Sequence, residues 1–156
     1  MSGVVAAPVT EAQVLAILVT VPDPELPVTS VVDLGMIHGV SVADGHIEVT
    51  VLPTFLGCPA LELILTDVRD ALLPLGVPVE VRSTMAVPWT PARITADGRR
   101  ALAAAGIVPP TDDADPACPH CGSEQTVMDN AFGPTQCRSL HYCRACRQPF
   151  EAIRAG

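Results

Sequence analysis

The chain has 156 residues, 49% of them hydrophobic and only 3% aromatic, and it carries a net charge of −8. That length suits one ordinary domain, or one of about a hundred residues with a small appendage, whose core has to be built from Val, Leu, Ile and Ala. A pI near 4.7, with all nine basic residues Arg, excludes the clustered basic surface on which nucleic-acid binding relies.

Thr10 with Gln13 three residues later forms a capping-box signature, and Val14, Leu15, Leu18 and Val21 give the following helix an apolar stripe that Pro22 ends. The run is too short for a membrane span, and the first residues lack the charged region of a secretory signal. The expectation is therefore a soluble cytoplasmic protein. In that compartment six cysteines point to metal binding or chemistry rather than to disulfides.

Asp23-Pro24-Glu25-Leu26-Pro27 has to be a shaped loop, because two prolines remove donors and restrict their predecessors. Glu25 and Asp33 stand close to the apolar Ser30–Gly35 run. For these acids and Asp23, capping and turn formation is the plain structural alternative to a functional role. Met36–Val42 reads as a strand, Asp44-Gly45 as a hairpin turn, and His46–Leu52 as a strand with Ile47, Val49 and Val51 on one face.

Thr54-Phe55-Leu56-Gly57-Cys58-Pro59 is the bend between that strand and a helix striped by Leu61, Ile64, Leu65, Val68 and Leu72. Pro59 suits the first helical position, which puts Cys58 at or beside the N-cap. A thiol there faces free backbone donors and the positive end of the helix dipole, so its pKa is expected to fall and its thiolate to bind metal or attack. The alternative is a small buried residue in a tight turn.

Val77–Ser83 gives a third strand, reached by a helical connection long enough for a parallel crossover. The expected fold is α+β, a small mixed three-stranded sheet with helices on one face, occupying residues 1–86. Residues 87–117 read as a connector: an extended lead with the single tryptophan, Trp89, a short helix from Thr95 through Ala105, and an acidic, proline-containing linker over Ile107–Ala117.

Residues 118–156 carry the most specific signal. Cys118-x2-Cys121 and Cys143-x2-Cys146 are two knuckles separated by twenty-one residues, with candidate strands at Gln125–Met128 and Ser139–Tyr142. Two such knuckles close a tetrahedron of four thiolates with no open position, the pattern of a zinc ribbon. A segment of about forty residues has too little core to fold alone, so the metal would supply its stability. Cys137 is a fifth thiol, readable as a buried residue, an additional ligand or a redox partner.

With these residues in view, the chain resembles the D-subunit family of the bacterial phenylacetic acid degradation system, accessory proteins of a multicomponent phenylacetyl-CoA epoxidase. Asp23-Pro24-Glu25, Ser30–Gly35 and Thr54-x3-Cys58-Pro59 are similar to small iron-sulfur assembly domains. Pro88-Trp89-Thr90, Gly98-Arg99-Arg100, Phe132-Gly133-x-Thr135-x-Cys137 and the four tail cysteines narrow the likeness to the D-subunit group. Arg93 stands where that pattern leads one to expect a second aromatic.

The resemblance implies a maturation factor rather than an enzyme, with epoxidase subunits and iron-sulfur assembly proteins as partners, no nucleic acid or membrane, and a homodimer left open. On that basis Cys58 is the functional cysteine for iron or cluster transfer. Thr54 positions or hydrogen-bonds it, Asp23, Glu25 and Asp33 shape its surroundings, and the zinc-holding tail recognises the client. The residues agree with a lack of catalysis: there is no glycine-rich nucleotide fingerprint, no paired Glu-x-x-His motif and no Ser-His-Asp set. Two other readings stay open, a zinc-ribbon adaptor that only docks partners and an iron-sulfur redox protein using the tail thiolates.

Overall fold

The computed structural model describes residues 7–109 and 115–154. Helix α1 (Glu11–Leu18) starts at the expected capping box, with Gln13 N donating to Thr10 Oγ1 at 3.2 Å and Thr10 N to Gln13 Oε1 at 2.9 Å. Strands β1 (Ile37–Ala43) and β2 (His46–Val51) form an antiparallel hairpin. Asp44 and Gly45 both have positive φ, as its tight turn requires.

Helix α2 (Leu61–Leu72) connects β2 to β3 (Val79–Ser83), which runs parallel to β2 and completes a mixed sheet of order β1-β2-β3. Ile47, Val49 and Val51 are fully buried, as their alternation demands. They share a core with Ile64, Val68 and Leu72 of α2. Burial of each of those three helical side chains contributes about 1.5–3 kcal/mol.

The connector is bound closely to this domain. Trp89 Nε1 donates to the Leu34 carbonyl at 2.7 Å, and Arg93 Nε donates to the Gly35 carbonyl at 2.7 Å. Arg93 thus replaces the expected aromatic with hydrogen bonds. Gly35 is required opposite it, because its φ is +71° and a Cβ there would stand 2.3 Å from the Arg93 carbonyl oxygen. Helix α3 (Ala96–Ala104) is N-capped by Thr95, as its sequence indicates, and Gly106 follows it in the left-handed region.

A second sheet, of order β4-β7-β6-β5, is built from β4 (Ile107–Val108), β5 (Thr126–Asn130), β6 (Arg138–Cys143) and β7 (Pro149–Ile153). The two candidate ribbon strands correspond to β5 and β6, whereas β4 and β7 have no counterpart in the sequence reading. Ile107 and Val108, expected to begin the linker, instead pair in parallel with Glu151 and Ala152. Pro110, Asp112 and Asp113 of that linker lie outside the described residues.

Trp89, Ile94, Leu102, Ile107, Cys137 and Ile153 belong to the same buried cluster as Val14, Ile47 and Leu72. Cys118, Cys143 and Phe150 form a smaller cluster of their own. One end of the ribbon sheet is therefore part of the main core, and the other is organised around sulfur. Among the described residues no helix is long and apolar enough to cross a membrane.

Candidate functional site

Beyond β2 the chain turns through Gly57, whose φ of +76° suits a residue without Cβ. Cys58 N donates to the Phe55 carbonyl at 3.2 Å, and Leu61 N donates to the Cys58 carbonyl at 3.2 Å. This turn corrects the expected helix start: Ala60 is the N-cap and Leu61 the first helical residue, so Pro59 lies before the helix rather than in its first turn. The backbone N–H groups of Ala60 and Leu61 still bear on the Cys58 sulfur and favour its anion.

The direction of the Cys58 pKa is nevertheless opposite to expectation. Burial pushes the thiol up, and the carboxylates of Glu25 and Asp23 push it the same way, so the two backbone donors are outweighed. Metal-free Cys58 is a protonated thiol at neutral pH. Helix position alone carried the opposite inference because it omitted the burial of the thiol and, after that, a loop from more than thirty residues earlier in the chain.

That loop is shaped by Asp23, whose Oδ1 accepts from Glu25 N and Leu26 N, both at 2.8 Å. Asp23 thus forms the turn that aims Glu25, and burial raises its own pKa. Asp33 is occupied elsewhere: its carboxylate accepts from Ser30 Oγ at 3.2 Å and Thr95 Oγ1 at 2.8 Å. Thr54 lines a cavity of about 420 Å³ beside the loop, and among the described residues no hydrogen bond joins it to Cys58.

The same cavity is lined by Phe55, Leu56, Trp89, Cys137 and Arg154. Its far wall thus comes from the ribbon. The Arg154 guanidinium lies 4.6 Å from the Phe132 ring centroid and 5.6 Å from that of Phe55, while its Nη1 donates to the Gln136 carbonyl at 3.0 Å. Arg138 Nη2 donates to the Glu25 carbonyl at 2.5 Å, and its Nη1 pairs with Glu151 at 2.7 Å. Sequence reasoning missed both arginines, since neither stands in a periodic pattern or a spaced motif.

The four tail cysteines do converge. The Cys118–Cys146 and Cys121–Cys143 sulfur pairs are each 3.6 Å apart, and all four sulfurs lie within 4.8 Å of one another. A tetrahedral ion with bonds of roughly 2.3 Å would separate its thiolates by about 3.8 Å, so the donor set fits a metal such as zinc. The second-knuckle N–H groups of Ala145 and Cys146 bear on Cys143 and favour its thiolate. His120 Nε2 is within 3.2 Å of the Pro149 carbonyl, and His141 stacks on Phe150 with its Nε2 2.9 Å from Ser139 Oγ. The tetrahedron is complete without either histidine.

Cys137 stands immediately before β6, whereas Cys143 ends it. Six residues of extended chain separate them by about 20 Å, which places Cys137 outside the tail metal site. Its sulfur instead lies 3.6 Å from Glu25 Oε2 and 3.1 Å from Thr135 Oγ1. A further group, His46, Glu48 and Glu80, is an exposed ion network on the β2–β3 face in which Arg82 approaches both glutamates.

Comparison with known proteins divides the chain along similar lines. The family described as "PaaD zinc beta ribbon domain" matches residues 106–154, and the family described as "Iron-sulfur cluster assembly protein" matches residues 11–82. The chain is 35% identical to an Escherichia coli (strain K12) protein provisionally named as the D-subunit of a 1,2-phenylacetyl-CoA epoxidase, over 95% of this chain and 94% of that one. It is 49% identical to an Fe-S protein maturation auxiliary factor of Porphyromonas gingivalis, over 38% of this chain and 57% of the other. A solved Bacillus anthracis structure of a domain of unknown function, DUF59, superimposes with a TM-score of 0.55 at 30% identity, covering 59% of this chain and 90% of that one.

Proposed function

We propose, since this chain belongs to the family of 1,2-phenylacetyl-CoA epoxidase D-subunits, that it is an accessory maturation factor for such an epoxidase and takes no part in the ring chemistry. Its task is to assist assembly of an iron-sulfur cluster or iron centre in a client protein, in the cytoplasm and beside iron-sulfur assembly proteins. The relatives' names support the accessory part of this reading, and the assembly-domain match over residues 11–82 supports its iron-sulfur part.

The observation that carries it is Cys58, a half-buried thiol whose ionisation is opposed by burial and by the carboxylates of Glu25 and Asp23 and favoured by the backbone N–H groups of Ala60 and Leu61. Burial, reinforced by the carboxylates, keeps the free thiol protonated and therefore unreactive toward electrophiles. The carboxylates also make the site attractive to a cation. An arriving iron ion reverses the balance: its charge offsets the carboxylate repulsion, the thiol proton leaves, and sulfur binds the cargo. Asp23 holds the loop that presents Glu25, and the Thr54–Leu56 segment forms the adjoining wall of the cavity.

In the tail, Cys118, Cys121, Cys143 and Cys146 would hold a zinc ion that fixes both knuckles and, through β6 and β7, the cavity wall formed by Cys137 and Arg154. The decisive experiment isolates epoxidase from cells lacking this protein and from cells carrying Cys58→Ala. Components that assemble but are deficient in iron are the expected outcome in both. Epoxidase with full iron content and normal turnover from either strain would overturn the reading.

A further inference from the structure

We propose that the cavity of about 420 Å³ between the front domain and the ribbon binds a small monocarboxylate with an apolar body, its carboxylate paired with the Arg154 guanidinium. This is independent of the reading of Cys58, which is not among the residues that line the cavity.

The volume falls within the range of about 300–1,000 Å³ usual for small-molecule sites, and the lining has their character, a mainly apolar wall with few polar groups. Pro53, Phe55, Leu56, Met85, Val87 and Trp89 supply the apolar part. Leu56 is 71% exposed and Met85 59%, so this wall holds apolar side chains that an apolar occupant would remove from water.

Arg154 is the one charged residue of the lining. Its guanidinium lies over the Phe132 and Phe55 rings, and its Nη1 donates to the Gln136 carbonyl at 3.0 Å. The cation is therefore held in place before a ligand arrives, which lowers the cost of ordering it on binding. Arg138 is paired with Glu151 at 2.7 Å, whereas no carboxylate among the described residues pairs with Arg154. A carboxylate is the group whose two oxygens match the planar fork of a guanidinium. A single cation on an apolar wall favours such an anion and opposes a metal ion, even in a chain of net charge −8.

The wall is assembled from three stretches: Pro53–Leu56 after β2, residues from Thr84 to Thr90 after β3, and Cys137 with Arg154 from the ribbon. An occupant would touch both parts of the molecule. Through Phe55 and Leu56 it would also lie against the turn that leads into Gly57 and Cys58.

The full-length zinc-loaded protein is titrated with phenylbutanoate and with phenylbutanamide, which keeps the apolar body and loses the charge. Trp89 is the single tryptophan and lines the cavity, so its fluorescence reports occupancy, with calorimetry as the second readout. Saturable binding of the acid is expected, at least about tenfold tighter than that of the amide. Arg154→Gln should erase this preference by weakening the acid alone, and Arg154→Lys should keep part of it. Met85→Glu, at an exposed position, should weaken the acid by adding a like charge to the wall. Should Arg154→Gln fail to fold, the ratio of acid to amide affinity in wild type decides the matter. Absence of saturable phenylbutanoate binding by wild type overturns the proposal, as do equal affinities for acid and amide or an unchanged preference in Arg154→Gln. None of these readouts involves iron, so the role of Cys58 is judged separately by the epoxidase iron assay.

Discussion

Asp33 and Thr95, 62 positions apart, are joined twice: Thr95 Oγ1 donates to Asp33 Oδ1 at 2.8 Å, and Thr95 N donates to the Asp33 carbonyl at 2.9 Å. The same hydroxyl accepts from Gly98 N at 3.0 Å and caps α3. One threonine therefore starts a helix and fastens it to the loop before β1. The closeness of the fit shows at Gly98, where a Cβ would stand 2.6 Å from the Asp33 carbonyl oxygen.

Gly98→Ala should consequently have the opposite sign to the usual helical glycine replacement. In an exposed helix interior it would add about 1 kcal/mol of stability. Here the methyl group meets backbone, which has no rotamer with which to yield, and a loss of about 1–3 kcal/mol is expected from forced displacement of α3. Urea denaturation should show a lower midpoint at unchanged slope. A midpoint equal to or above wild type would mean that the Asp33–Thr95 junction is looser than described.

Removing the tail metal should reach the main core. Sequence reasoning separated the ribbon from the front domain by an acidic linker, which implies that the front stays folded when the metal is lost. Ile153 and Cys137 instead share the cluster that contains Trp89, and Trp89 lines the cavity opposite Arg154. Chelation, or Cys121→Ser, is expected to remove several kcal/mol of stability and lower Tm by about 10 °C or more. Trp89 fluorescence should shift in the same transition. An unchanged tryptophan signal after complete metal loss would restore the independent-domain view.

What could be read in the sequence was local. The Thr10–Gln13 box, the Asp44-Gly45 turn, the buried side of α2 and the two knuckles each need only a few neighbouring residues, and each is found where its spacing puts it. The mutual placement of the two sheets was not legible: β4 has two residues, too few for periodicity, and pairs with a strand more than forty positions away. The candidate site suffered in the same way. Cys58 does face backbone donors, but burial and Glu25 decide its ionisation, and Cys137 meets Glu25 across 112 positions.

Arg154 should act as a positioning residue for the Cys58 loop. Its guanidinium stacks between Phe132 and Phe55, tying the end of β7 to the segment that leads into Gly57. Arg154→Ala leaves the backbone bond from Arg154 N to the Cys137 carbonyl available but removes both ring contacts, a loss of about 1 kcal/mol. Faster hydrogen exchange over residues 55–58 is the expected readout, with tail metal content unchanged. Arg154→Lys should restore it only partly, because an ammonium lacks the planar stacking face. Equal exchange in all three proteins would remove Arg154 from the account of the loop.

The sharpest consequence concerns the reactivity of Cys58 in protein free of added iron. An N-terminal helix thiol would alkylate rapidly at neutral pH, whereas burial and two carboxylates predict slow alkylation with a pKa above the ordinary thiol value of 9.0. The sign carries through to stability. A thiol whose folded pKa is raised binds more protons in the native state than in the unfolded one, so its contribution is present below the unfolded pKa and lost as pH rises through the folded pKa. Glu25→Gln should lower the Cys58 pKa and accelerate its alkylation several-fold, because one repulsive charge is gone while the Ala60 and Leu61 donors remain. Comparison with Cys58→Ala identifies the labelled sulfur. Rapid neutral-pH labelling of wild-type Cys58, with no further gain in Glu25→Gln, would show that the helix donors prevail over the carboxylates and would remove the charge reversal through which cargo binding is argued to release the thiol proton.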